Sequence, residues 1–134
     1  MVVLVDSNVF LDIVTRDPVW LEWSRETLRR LTDETALVIN AIVYAEVSVG
    51  FADIADVDAV LPPHLYRRED LPYAAGFLAG KAYLDYRRRG GERRSPIPDF
   101  YVGAHAAVAG YGLLTRDPAR YRTYFPTVAL IAPE

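Results

Sequence analysis

The stretch Val2-Val3-Leu4-Val5-Asp6-Ser7-Asn8 decides which fold we expect for the rest of the chain. Four consecutive apolar residues, three of them β-branched, are typical of a strand that is buried on both faces. The two small polar residues after the acid favour the start of a helix. A strand that carries an acid at its carboxyl end places it where open α/β sheets bind ligands. Asp6 is therefore the first candidate site residue, although the same position would also let it cap the next helix.

The length and composition predict one folded domain over residues 1–134. Half of the residues are hydrophobic and a quarter are charged, so disorder is not expected. The chain has no cysteine, which excludes disulfides, thiolate catalysis and Cys-based zinc sites. The first apolar run is too short for a signal peptide or a membrane span. We therefore expect a cytoplasmic protein with no membrane association.

Further apolar runs separated by helical patterns predict an α/β fold. Strands are expected over residues 36–39, 113–115 and 128–131, with helices over about 9–14, 18–31, 41–49, 53–61, 72–89 and 98–109. Asp17 is expected to cap the second helix, with Pro18 at its first position. No glycine-rich loop follows either of the first two strands, which disfavours a P-loop or a dinucleotide site.

Glu46 is an anomaly in an otherwise apolar helix. It is the only charged residue between Thr35 and Asp53, and Ile42 and Val49 share its helical face. Burying an unpaired carboxylate costs several kcal/mol, or raises its pKa, unless a cation lies beside it. The alternative is a surface glutamate at the edge of the apolar stripe.

Two further acids stand at the ends of predicted elements. Asp99 opens a helix of mostly small residues, where capping alone could explain it. Asp117 repeats the arrangement of Asp6, since an acid again follows a buried strand. His105 lies six residues after Asp99 and is expected to have a structural role, and His64 is expected on the surface.

The positions of the four acids in the predicted elements suggest that they lie near one another. The carboxyl ends of parallel strands and the helices that follow them meet at one edge of a sheet, so Asp6, Glu46, Asp99 and Asp117 could converge there. Oxygen ligands without His or Cys suit Mg²⁺ or Mn²⁺ and not zinc. Such an ion can orient and polarise a phosphate and activate water for in-line attack. The chemistry that follows is phosphodiester hydrolysis.

One local concentration of positive charge precedes Asp99. Five arginines fall within residues 87–94, where they could follow a phosphate backbone or form a solvated helix end. The net charge of -3 argues against general affinity for nucleic acid, but without the four site acids 14 acidic residues remain against 15 basic ones. RNA is therefore compatible with the body of the protein. The candidate RNA-binding residues are Arg87, Arg88, Arg89, Arg93 and Arg94.

Four motifs in this order resemble PIN-domain ribonucleases, and most of all the VapC toxins of bacterial and archaeal toxin–antitoxin pairs. They are Val5-Asp6-Ser7-Asn8, Ala45-Glu46-Val47, Asp99-Phe100-Tyr101-Val102-Gly103-Ala104 and Leu113-Leu114-Thr115-Arg116-Asp117. The likeness extends over essentially the whole chain. It departs at Gly103, where the family more often has alanine, and residues 53–72 carry no signature.

The resemblance implies a three-layer α/β/α sandwich with a central, mostly parallel sheet. It also implies a homodimer, Mg²⁺-dependent endoribonuclease activity and an antitoxin partner. The four acids carry over as the catalytic and metal-binding site, and Asn8 and Thr115 as polar residues that support them. We expect Asp6 and Asp99 to be the most direct ligands. Glu46 and Asp117 would then act through waters or a second ion, because Mg²⁺ keeps several waters.

Two other functions compete with this interpretation. A non-catalytic α/β module could keep the same acids only to bind a partner. A HAD-type phosphatase also places an acid after its first strand, but it needs a second acid two residues later. This chain has Asn8 there, which disfavours the phosphatase.

Overall fold

A five-stranded sheet forms the centre of the molecule. The computed structural model describes residues 1–92 and 97–134. The strands are β1 (Val2–Val5), β2 (Ala36–Ile39), β3 (Tyr66–Arg68), β4 (Gly112–Leu114) and β5 (Leu130–Ile131). The strand order is β3-β2-β1-β4-β5, and every neighbouring pair is parallel.

The central strand explains the apolar start of the sequence. Val3, Leu4 and Val5 have no exposed surface, and Leu4 lies opposite Val38 of β2 and Leu113 of β4. A strand paired on both edges and covered on both faces has no place for a polar side chain. Its first polar residue therefore stands where the strand leaves the sheet.

Helices cover both faces of the sheet. The chain runs from β1 through β2 to the β3 edge and then returns to β4 on the other side of β1. Crossovers between parallel strands are almost always right-handed, so these two directions place the helices on opposite faces of the sheet. The predicted α/β/α fold is confirmed. Within the described residues the helices are α1 (Ser7–Val14), α2 (Leu21–Glu34), α3 (Ala41–Ser48), α4 (Ile54–Val60), α5 (Tyr73–Arg88), α6 (Ile97–Ala109) and α7 (Ala119–Tyr124).

The start of α2 was predicted wrongly. The helix begins at Leu21 and not at Pro18, because the Asp17 carboxylate accepts hydrogen bonds from the backbone N–H groups of Val19 and Trp20, both at 2.8 Å. Asp17 thus caps a turn that precedes the helix. The last strand is also shorter than predicted, since β5 comprises only two residues.

Two elements were not predicted at all. Strand β3 lies at the sheet edge and reads Tyr-Arg-Arg, with both arginines exposed, so it lacks the apolar run of a central strand. Helix α7 follows Asp117-Pro118, a pair that indicates a turn as readily as a helix start. Because α7 was missed, so were the residues that it brings to the sheet edge.

The two histidines lie where they were expected. His105 is buried, and its ring Nδ1 lies 3.0 Å from Nδ2 of Asn40, which fits a structural role. His64 is exposed. No helix among the described residues is both long and apolar enough to cross a bilayer.

Gly103 stands against two aromatic rings. A Cβ added there would lie 2.4 Å from Phe125 Cδ2 and 3.0 Å from Tyr121 Cδ1. Both rings are buried, so neither can move without disturbing its neighbours. We expect Gly103→Ala to lower the free energy of unfolding by about 1–3 kcal/mol, the usual cost of overpacking. Urea denaturation measures this change.

Gly80 provides the matched control for this substitution. It also lies within a helix, but a Cβ there would meet nothing within 4 Å. Gly80→Ala is therefore expected to stabilise the protein by about 0.5–1 kcal/mol. Unchanged stability in Gly103→Ala would show that the core around Phe125 relaxes freely, contrary to this prediction.

Candidate active site

A cleft of about 460 Å³ opens at the carboxyl edge of the sheet, beside the ends of β1 and β4. It contains all four acids predicted for the site. Its lining comprises Asp6, Ser7, Asn8, Glu46, Asp99, Asp117, Ala119, Arg120 and Tyr121.

Asp6 is the most buried of the four acids and is held on both oxygens. Its Oδ1 accepts a hydrogen bond from the Ser7 backbone N–H at 2.8 Å, so it does cap α1. Its Oδ2 accepts from Thr115 Oγ1 at 2.9 Å, Tyr121 Oη at 2.8 Å and Asn8 Nδ2 at 3.3 Å. Three donors occupy Oδ2, which leaves Oδ1 as the oxygen with a lone pair for a cation. Asp6 therefore caps α1 and also lines the cleft.

Asn8 and Thr115 connect the ends of the two central strands. Asn8 Nδ2 donates to Thr115 Oγ1 at 3.2 Å, and Asn8 Oδ1 accepts from the Arg116 backbone N–H at 3.1 Å. Thr115 Oγ1 also accepts from the Asp117 backbone N–H at 3.1 Å. The two side chains thus fix the loop that carries Asp117 relative to Asp6.

Glu46 reaches the cleft from α3, which Asn40 caps by accepting a hydrogen bond from the Val43 N–H at 3.0 Å. Glu46 is half-buried, and its Oε1 accepts a hydrogen bond from Ser7 Oγ at 2.9 Å. It makes no further hydrogen bond to the described residues. One carboxylate oxygen of Glu46 is therefore fixed and the other is available to the cleft.

Asp99 lines the cleft from the first turn of α6, and Asp117 lines it from the loop after β4. Asp99 Oδ2 accepts a hydrogen bond from Arg120 Nη1 at 2.7 Å, and both side chains are about one-third exposed. Asp117 is 75% exposed, with Arg116 Nη1 at 3.5 Å from its Oδ2. Asp117 is thus the most solvated of the four acids and stands at the mouth of the cleft.

The buried carboxylates raise one another's pKa values. Burial, followed by the charge of Asp99, raises the pKa of Asp6 to about 7 against the opposing hydrogen bonds from Tyr121 and Thr115. Burial and Asp99 also raise the pKa of Glu46. Burial raises the pKa of Asp99, and Asp117 adds to this, while Arg120 acts in the opposite direction. A divalent cation would stabilise the ionised forms that burial and mutual repulsion disfavour.

The donor set fits a hydrated, hard cation better than a fully protein-bound one. In the part of the chain that the structure describes, no three His, Asp or Glu side chains are close enough together to hold a metal ion as they stand. Mg²⁺ usually keeps several waters and takes only one or two carboxylates directly. The charge of Asp99 raises the pKa of Asp6 more than the charge of Glu46 does, so Asp6 and Asp99 are suited to that number of direct contacts.

Three of the five arginines predicted to bind RNA lie at the end of α5. Arg87 and Arg88 form its last turn, and Arg89 follows as its C-cap. Arg89 Nη2 lies 3.1 Å from Asp85 Oδ2, and its guanidinium is 5.4 Å from the ring centroid of Tyr124. The two remaining candidates, Arg93 and Arg94, lie outside the described residues.

Sequence reasoning missed three residues that bring polar side chains to the cleft, namely Ser7, Arg120 and Tyr121. Ser7 was assigned only to the helix start. A helix beginning after Asp117-Pro118 would have placed residues 120 and 121 beside the acid, but that dipeptide is an ambiguous signal. The contact between Tyr121 and Asp6 spans 115 positions and has no local signature.

The family model of the PIN domain matches residues 3–126. The chain therefore belongs to the PIN domain family, whose members are nucleases that generally use divalent metal ions. Comparison with curated protein sequences found no match.

The solved structures with the same fold include toxin–antitoxin complexes from several bacteria. The chain is similar to VapBC2 from Rickettsia felis, crystallised with a DNA fragment from its promoter, at 16% identity over 100% of both chains with a TM-score of 0.75. It is similar to DNA-bound VapBC from Salmonella typhimurium at 18% identity over 98% of both chains, with a TM-score of 0.71. A toxin–antitoxin complex from Klebsiella pneumoniae matches at 16% identity over 98% of both chains, with a TM-score of 0.71. At these identities the likeness establishes the fold.

Proposed function

We propose that the protein is a Mg²⁺-dependent endoribonuclease and the toxin of a toxin–antitoxin pair. The observation that carries this proposal is the convergence of Asp6, Glu46, Asp99 and Asp117 on one cleft of a PIN fold. The ionised forms of Asp6 and Glu46 are disfavoured by burial and by the neighbouring acid Asp99 unless a cation is present. A cation in such a cleft is suited to phosphodiester hydrolysis.

Asp6, through Oδ1, and Asp99 would hold the ion, with Glu46 and Asp117 acting through its waters or on a second ion. Mg²⁺, or Mn²⁺ in its place, would supply charge stabilisation for the phosphate and a more acidic water. Asn8 and Thr115 keep the Asp6 carboxylate in place through their hydrogen bonds to Oδ2. Fixed ligand geometry of this kind raises both metal affinity and activity.

Glu46 is the group best placed to accept a proton from the attacking water. Ser7 fixes its Oε1 at 2.9 Å, and its second oxygen has no hydrogen-bond partner among the described residues. Its raised pKa brings the carboxylate closer to the strength that a general base needs near neutral pH.

Two features support the proposed protein partners. The similar structures include VapBC assemblies and a toxin–antitoxin complex, which supports a cognate antitoxin for this chain as well. On α5, Tyr73 is 99% exposed and Phe77 is 69% exposed. An exposed apolar face of this kind suits the contact between two copies of a homodimer. Such a toxin would act on RNA in the cytoplasm.

The function is tested by incubating the purified protein with single-stranded and structured RNA. We expect cleavage with Mg²⁺, none with excess EDTA, and a loss of at least about 100-fold in rate for Glu46→Gln, the scale of a lost general base. Asp33→Asn is the matched control, because it removes an exposed carboxylate on α2 without touching the cleft. RNA fragments resolved by gel electrophoresis give the rates.

Two outcomes would contradict the proposal. Equal cleavage by the wild type and Glu46→Gln would indicate a contaminating nuclease. Binding of RNA or of a protein partner without cleavage under any divalent ion would favour the non-catalytic binding module instead.

A further inference from the structure

Arg120 is the one positively charged side chain that lines the cleft within the described part of the chain. The same lining carries four carboxylates, so the cleft has a formal charge of about -3 when all of them are ionised. A phosphate diester is itself an anion and would be repelled by such a surface. Arg120 is therefore well placed to contribute to substrate binding in a way that the acids cannot.

The guanidinium of Arg120 has unused donors. It makes one hydrogen bond to the described residues, from Nη1 to Asp99 Oδ2 at 2.7 Å. A guanidinium carries five N–H donors in a planar fork that matches two oxygens of a phosphate. With the side chain 38% exposed, most of these donors remain open to the cleft and to solvent.

A second contact holds Arg120 independently of Asp99. Its guanidinium carbon lies 5.9 Å from the ring centroid of Tyr86, within the range of a cation–π interaction. Tyr86 in turn packs edge-on against Phe100 and Tyr124, at 5.5 and 6.1 Å between centroids. If Asp99 binds a metal ion instead of Arg120, the contact with Tyr86 still holds Arg120 at the cleft.

We infer that Arg120 binds a phosphate of the RNA at the cleft, and that its ion pair with Asp99 is the resting arrangement that a cation at Asp99 replaces. The inference rests on the proposed nuclease function. Mg²⁺ and Arg120 compete for the same carboxylate, so binding of the ion frees the guanidinium for the substrate. The Arg120 guanidinium therefore becomes available to bind a phosphate when Mg²⁺ binds at Asp99.

The alternative role for Arg120 is structural, as the residue that orients Asp99 for the metal. The two roles predict opposite effects of Arg120→Ala on the metal. A structural role predicts weaker Mg²⁺ binding, whereas competition predicts equal or tighter binding. They also differ in the salt dependence of RNA binding, which changes only if Arg120 contacts a phosphate.

The test measures RNA binding in a Glu46→Gln background with Mg²⁺ present, from 50 to 300 mM salt. Arg120→Ala is expected to lower RNA affinity about 10- to 100-fold, as for a lost charged hydrogen bond, and to reduce the slope of log affinity against log salt by about 0.7–1. Arg122→Ala removes the same charge from an exposed position on α7 and is expected to leave both quantities unchanged. Arg120→Lys keeps the positive charge but loses the planar, two-pronged guanidinium. The salt slope should therefore return to its wild-type value, while the RNA affinity recovers only in part.

The Mg²⁺-induced rise in melting temperature is the second readout and needs no RNA. It should be as large in Arg120→Ala as in the wild type, or larger. An unchanged salt slope together with a smaller Mg²⁺ effect would overturn the inference. If the wild type neither binds nor cleaves RNA, the proposed function itself fails, which is a distinguishable result.

Discussion

Replacing Asp6 by asparagine is expected to lower the rate of Mg²⁺-dependent RNA cleavage about 1000-fold while leaving the protein folded. Asp6 is 3% exposed and is the acid at which three donors from separate elements meet. Asparagine has nearly the same shape but no charge, so it removes the attraction for the cation and keeps an oxygen for those donors. A loss of several kcal/mol of electrostatic stabilisation corresponds to a factor of this size.

The same residue gives the site a specific pH dependence. Its pKa is raised from the ordinary value of 3.8 to about 7 in the folded, metal-free protein, by burial first and by Asp99 second. Between these two pH values the Asp6 carboxyl is still protonated in the folded state but already ionised in the unfolded state. The free energy of unfolding of the metal-free protein should therefore fall as pH rises from about 4 to 7, by an amount on the order of 4 kcal/mol.

Mg²⁺ should reverse that loss, because it binds the deprotonated carboxylate. The rise in melting temperature on adding Mg²⁺ is expected to be larger at pH 8 than at pH 5.5 in the wild type. In Asp6→Asn it should be small at both values. Differential scanning fluorimetry with and without EDTA measures both effects, with Asp33→Asn as the control. A Mg²⁺ effect that is equal at the two pH values, or that survives in Asp6→Asn, would contradict this account of Asp6.

The central part of the fold could be predicted because its strands are buried on both faces. A strand such as Val2–Val5 has no exposed side, so burial imposes an unbroken apolar run that is readable in the sequence. The edge strand Tyr66–Arg68 is covered less and carries two exposed arginines, so its pattern is no different from a loop. The strands of this sheet were therefore easiest to predict from the sequence where their residues are buried on both faces.

The same reasoning explains which parts of the cleft were found. Asp6 and Asp117 each follow a central strand, and the rule that parallel strands end at one edge was enough to bring them together. Glu46 was found because its charge is exceptional in an apolar helix. Arg120 and Tyr121 were not found, because α7 is only six residues long and its role depends on contacts with residues far away in the sequence.

A second large effect is expected away from the cleft, at Asp12. This residue is 2% exposed and was given no role by the sequence. Its Oδ1 and Oδ2 accept hydrogen bonds from Nη2 and Nε of Arg116, both at 3.0 Å, and Oδ2 also accepts from Ser24 Oγ at 2.7 Å. Asp12, with Arg116 and Ser24, thus connects α1 and α2 to the loop after β4. The backbone N–H of Arg116 also donates a hydrogen bond to Asn8 Oδ1.

Asp12→Ala is expected to lower the free energy of unfolding by about 3 kcal/mol and the melting temperature by about 10 °C. Removing one partner of a buried ion pair leaves the other charge without its counterpart in a poorly solvated position. Arg116 is 24% exposed, so water compensates in part and the cost lies at the lower end of the range for buried pairs. Chemical denaturation of the metal-free protein measures the change.

The exposed pair of Glu22 and Arg25 is the matched control, because both side chains are more than half exposed at an N–O distance of 2.5 Å. Glu22→Ala should cost less than about 0.5 kcal/mol, as solvated ion pairs do. In a double-mutant cycle, Asp12→Ala and Arg116→Ala together should destabilise the protein by clearly less than the sum of the single changes. Additive effects would mean that Asp12 and Arg116 stabilise the fold independently, and that the loop carrying Asp117 is held in place chiefly by Asn8 and Thr115.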